Sequence, residues 1–93
     1  MKILDTKLKD LKGVVIKNGD VDLTVREVCL LALLNVKENI DTLKSYKLAK
    51  KVDEAKEELT SEEIVYVKDL VARSSDFWTL PVLVIGATLE ILN

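Results

Sequence analysis

The chain has 93 residues, 14 basic and 16 acidic, and no histidine. This length supports one modest core. A net charge of −2 argues against a phosphate-binding surface, which normally carries a basic excess. Apolar residues make up 48% and charged residues 32%, which excludes a disordered chain. The longest uncharged stretch, Phe77 to Leu89, is 13 residues, against the roughly 20 needed to span a bilayer. No basic-then-apolar leader is seen at the start, so a secretion signal is not expected.

Residues 1–23 read as β-structure and turns. Ile3, Leu4, Leu8 and Leu11 alternate loosely with charges, and Val14-Val15-Ile16 is a β-branched run. Val21 and Leu23 alternate with Asp20 and Asp22. Two turn signals are present, Lys12-Gly13 and Asn18-Gly19, and either could join the strands; Asn-Gly suits a type I′ turn. A β-hairpin or two-strand ribbon is expected, docked on helices because a bare hairpin is marginal in water.

Thr24 to Val36 carries seven consecutive apolar residues, Val28 to Leu34. Periodicity alone does not separate a buried strand from a buried helix here. The preceding residues decide. Thr24-x-x-Glu27 is a capping box, with Leu23 and Val28 at the positions of a hydrophobic staple. A helix over 24–36 follows. Being apolar all round, it is expected to be covered on most sides and to lie at the centre.

A second helix is predicted over 39–58. Leu48, Val52, Ala55 and Leu59 form one apolar stripe, and Leu43 and Tyr46 lie off it. A third, over 60–73, begins with a repeat of the same start signal: Thr60 and Glu63 as the box, Leu59 and Ile64 as the staple. Ile64, Val67, Leu70 and Val71 would face inward, and Ser74-Ser75 is expected to end the helix. A fourth is predicted over 80–92, because Pro81 suits a first helical turn. Val82, Val84 and Ile85 would equally suit a strand. The expected fold is thus α+β and mostly α: one domain, with an N-terminal β-hairpin or ribbon packed on a three- to four-helix bundle around a central apolar helix.

Much chemistry is missing. Without histidine the commonest general base and metal ligand is absent. The single cysteine, Cys29, cannot build a zinc cluster; a lone thiol in an apolar helix reads as a core residue in a reducing compartment, here the cytoplasm. The three glycines are far apart, so there is no phosphate-cradling loop. Glu57-Glu58 and Glu62-Glu63 flank a helix start, where negative charge suits the dipole. Asn18 to Asp22 resembles an acidic calcium loop only loosely, lacking its glycine position and closing glutamate. Neither catalytic residues, nor a cofactor, nor a metal is therefore expected.

Thr24 to Lys51 can also be read as a helix-turn-helix, with Lys44, Lys47, Lys50 and Lys51 as its DNA-binding face. Against this, the first helix is too apolar to cross a DNA backbone. Apart from Asn39, no Arg, Asn or Gln is placed early in the second for base readout. From Lys37 to Glu58 six basic residues meet six acidic, and from Leu59 onward two meet five.

Asp10 to Gly13 (DLKG), Leu23 to Leu34 (LTVREVCLLALL) and Lys44 to Val71 (KSYKLAKKVDEAKEELTSEEIVYVKDLV) resemble small uncharacterised proteins of tailed phages and prophages. The apolar stretch Pro81 to Leu92 departs from that pattern. The resemblance implies phage or prophage origin and a role through protein contact, with no reaction to carry over. The leading expectation is a non-enzymatic interaction protein, binding another protein or itself. Leu43, Tyr46, Phe77, Trp78 and the outer side of Leu80 to Leu92 are its candidate contacts, since aromatics are enriched at interface centres. The alternative is a transcriptional regulator using the lysine-bearing second helix.

Overall fold

The structure, a computed structural model, describes residues 2–36, 41–77 and 82–93. It is mostly helical. A 3-10 turn, Lys2–Asp5, is followed by two short strands, β1 (Lys17–Asn18) and β2 (Val21–Asp22). Helices α1 (Val25–Asn35), α2 (Thr42–Glu54), α3 (Ser61–Phe77) and α4 (Val82–Leu92) complete the described chain.

The N-terminal region differs in detail from a simple alternating ribbon. Residues 2–5 turn instead of extending, which drops Leu4 into the core with no exposure. Both turn signals are used. The Asp10 carboxylate accepts from the amides of Lys12 and Val14, closing a turn in which Gly13 takes φ +83°. The second turn is shifted by one residue: Asn18 pairs with Val21, so Gly19 and Asp20 form the two-residue connection. Gly19 supplies the positive φ, +67°, at the first central position, as a Gly-x turn requires. Three segments then close on one another. Leu8 N–H donates to the Leu23 carbonyl, Ile16 N–H to the Leu8 carbonyl, and Leu23 N–H to the Ile16 carbonyl. Leu8, at their meeting point, is fully buried.

Helix α1 starts where its cap predicts. The Thr24 hydroxyl accepts from the Glu27 amide, and the helix runs from Val25. It touches α2, α3, α4 and the 3-10 turn. Arg26 reaches Asp5 at 2.5 Å, tying the turn to the helix. Yet α1 is not covered all round. Val25, Val28, Cys29, Ala32 and Leu33 are buried, while Leu30 and Leu31 are half-buried and Leu34 is 57% exposed. The remaining helices pack on one side and leave a greasy flank in solvent.

Helix α2 is shorter than expected at both ends. Its N-cap is Asp41, whose carboxylate accepts from the Lys44 amide. It stops at Glu54 because Ala55 turns into the left-handed region, φ 52° and ψ 29°. Leu48, Val52 and Leu59 still line the core. Helix α3 begins with both halves of the capping box made: Glu63 N–H donates to the Thr60 hydroxyl at 3.1 Å, and Thr60 N–H to the Glu63 carboxylate at 2.8 Å. It does not end at Ser74-Ser75. The buried Ser74 hydroxyl donates back to the Leu70 carbonyl at 2.8 Å, so the helix passes through and reaches Phe77. For residues 82–92 the helical reading holds over the strand. The buried Thr88 hydroxyl is satisfied in the same way by the Val84 carbonyl. A radius of gyration of 12.4 Å matches a compact globule of this length.

Candidate interaction surface

Tyr46 and Leu43, the two described candidate contacts, both face solvent at 54% and 60% exposure. They do not share one pocket. Leu43 lies beside Lys44, Lys47 and Leu48. Tyr46 faces the other way, across a cleft of about 320 Å³ lined also by Leu30, Leu34, Ala49, Lys50 and Asp53. Small, buried Ala49 lines this cleft together with Leu30 and Leu34 of α1. The Lys50 ammonium sits 5.5 Å from the Tyr46 ring, a cation–π contact that steadies the rim. Along α1 the apolar strip continues from Leu30 and Leu34 to Leu31. The sequence reading expected α1 to be covered on most sides; Leu34, and in part Leu30 and Leu31, lie on the side left open. Trp78 and Leu80 lie outside the described residues, and Phe77 is described only as the last residue of α3. On the outer side of α4, Val82 and Leu83 are exposed.

Three of the four lysines of α2, Lys44, Lys50 and Lys51, are drawn into separate contacts. Lys51 is half-buried and bonds Glu63 at 2.7 Å, joining α2 to α3. That bond, and then the Thr60 amide, hold the Glu63 carboxyl below its ordinary range. Lys44 lies over the Tyr66 ring at 4.6 Å. Tyr66 itself, which sequence reasoning passed over, is the hinge pin of this end. Its hydroxyl bonds the buried Ser45 hydroxyl and donates to the Asp41 carbonyl, so α3 reads the start of α2. Lys47 is exposed and lines the same shallow hollow as Leu43. Acidic Asp41 and Glu63 share that hollow, so it is mixed in sign.

Elsewhere, titratable groups serve packing. Burial pushes the Cys29 thiol up to about 12, so it stays protonated and weakly nucleophilic at neutral pH. Asp22 bonds Lys7 at 2.9 Å, which lowers its carboxyl and occupies the residue with a cation of the chain itself. Among the described residues no group of three or more acidic or sulfur ligands could hold a metal ion. No helix among them is long and apolar enough to cross a membrane. Set against protein-family models, curated proteins and solved structures, the chain matches none.

Proposed function

We propose that this chain is a single-domain, non-enzymatic interaction protein of phage or prophage origin, acting in the bacterial cytoplasm by binding another protein or a second copy of itself. Its scaffold is an N-terminal ribbon docked on a helical bundle built round α1. One observation carries the reading: the apolar helix α1 leaves Leu34, with Leu30 and Leu31, on an open flank beside an exposed tyrosine. An apolar patch with an exposed aromatic and charges beside it has the composition of a protein interface. The rim here carries Lys50 and Asp53, so both signs are available for orientation.

The test combines light scattering over a concentration series with capture from phage-infected or lysogenic host cells, comparing the wild type with a Leu34→Lys/Tyr46→Ala double variant. A discrete dimer or a discrete captured partner, lost in the variant, supports the reading. A monomer that captures nothing, or a complex that the variant forms equally well, counts against it. No observation favours the DNA-binding use of α2, since Lys51 is bonded to Glu63 and Lys44 to the Tyr66 face. No shift of duplex DNA is expected even at low ionic strength, where phosphate contacts are strongest.

A further inference from the structure

Helices α2 and α3 are joined by residues 55–60, and this connection lacks the residues that normally break a helix. It contains neither glycine nor proline. Ala55, Lys56, Glu57, Glu58 and Leu59 are all strong helix formers. The break is made at Ala55, whose φ of 52° and ψ of 29° put an alanine where glycine is usual. The apolar pattern also runs straight through it. Leu48, Val52, Ala55 and Leu59 keep helical spacing, and Tyr66 and Leu70 return to the same face about five and six turns after Leu48. An unbroken helix from Thr42 to Phe77 would therefore carry one continuous stripe.

A few side-chain bonds hold the connection bent. Thr60 and Glu63 make both halves of the capping box. Lys51 of α2 bonds Glu63 of α3 at 2.7 Å, and Ser45 of α2 bonds Tyr66 of α3. Otherwise α2 packs chiefly on α1, while α3 packs on α1 and α4. A straight helix over 42–77 would be about 54 Å long. The longest axis of the bent molecule is 37 Å. Straightening thus carries α3 and α4 out of reach of their own α1.

The α1 surface left behind fits one occupant by construction: the α3–α4 unit of a second copy, which restores the same contacts. The Lys51–Glu63 and Ser45–Tyr66 bonds would re-form between the two copies. Only the hinge then differs between the two states. The bent hinge keeps the capping box and a strained left-handed alanine. The straight hinge loses the box, relieves the alanine and gains helical hydrogen bonds through five good helix formers. We propose that residues 55–60 are a hinge through which two copies of this chain exchange α3 and α4, α2 and α3 becoming one helix in each. The exchange does not use the α1–α2 cleft and stands apart from the function proposed for it.

The test refolds the full chain at micromolar and at millimolar concentration and reads dimer content by size-exclusion chromatography with light scattering. Ser61 is the first residue of α3, a position that suits proline when the hinge is bent. In a straight helix the same proline lacks the N–H that would bond the Glu57 carbonyl. Ser61→Pro should therefore keep the monomer folded and abolish the dimer. Ala55→Gly relieves the bent hinge and weakens the straight one, so dimer content should fall about fivefold or more. Thr60→Ala removes half of the box and should raise it about fivefold. Leu34→Lys/Tyr46→Ala should leave it unchanged. A dimer in the wild type or in Thr60→Ala, reduced by Ala55→Gly and by Ser61→Pro placed in that background, is the expected result. No dimer in either background overturns the proposal, as does a dimer that both hinge variants leave unchanged. A dimer lost only in Leu34→Lys/Tyr46→Ala is made through the cleft; it supports that reading and overturns this one.

Discussion

Tyr66 shows how much of this molecule depends on single hydroxyls. Ser45 is buried, and its partner is the Tyr66 hydroxyl, which also reaches the Asp41 carbonyl. Tyr66→Phe removes the partner and leaves a buried hydroxyl unsatisfied, which costs about 1–3 kcal/mol. Urea unfolding should register that loss, and Tyr66→Phe/Ser45→Ala should recover part of it. Glu63 makes a second residue-scale prediction. Its folded carboxyl is depressed by Lys51 first and the Thr60 amide second. A depressed carboxyl contributes stability above its unfolded value and loses it as pH falls through the folded one. The stability gap between wild type and Glu63→Gln should be widest above the ordinary carboxylate range and close as pH falls below it. A gap independent of pH would show that the charge of Glu63 does not hold the α2–α3 junction.

At the scale of elements, the starts of α1 and α3 were legible, and both ends of α2 and the end of α3 were not. Thr24 and Thr60 announce themselves because a cap is a local bond, made within three residues of sequence. Asp41 does the same job for α2, and the expected start at 39 missed it. The end of α2 could not be read, because it is an alanine, the best helix former, that leaves the helix. A left-handed alanine is strained, so Ala55→Gly should raise unfolding free energy by about 0.5–1 kcal/mol. No change, or a loss, would mean that the αL turn at Ala55 is not populated in solution. Ser74-Ser75 misled in the opposite sense. Serines compete with helix backbone, but Ser74 bonds back to Leu70 and satisfies itself without breaking the turn. In the N-terminal region both glycine turns were visible, while the three-way closure at Leu8, Ile16 and Leu23 was not. Closure joins residues fifteen positions apart through backbone groups that every residue shares.

For the whole molecule, the sequence correctly indicates a mostly helical chain and misjudges how completely it buries α1. Composition records how apolar α1 is, but not how many neighbours surround it. Three helices and a small N-terminal region cover Val25, Val28, Cys29, Ala32 and Leu33, and run out before Leu34. The candidate surface was therefore half legible: Tyr46 was named from its place off the α2 stripe, while its apolar companions across the cleft belong to a helix expected to be covered on most sides.

The central claim is that this open flank is spare to the fold and held for contact. The most direct measurement is the urea unfolding free energy of Leu34→Lys. Leu34 lies in the last turn of α1, which carries no basic residue, and a lysine there complements the helix dipole. The account predicts a value within about 0.5 kcal/mol of wild type, as for a surface position. A loss of about 2 kcal/mol or more would place Leu34 in the core of the solution fold and contradict it.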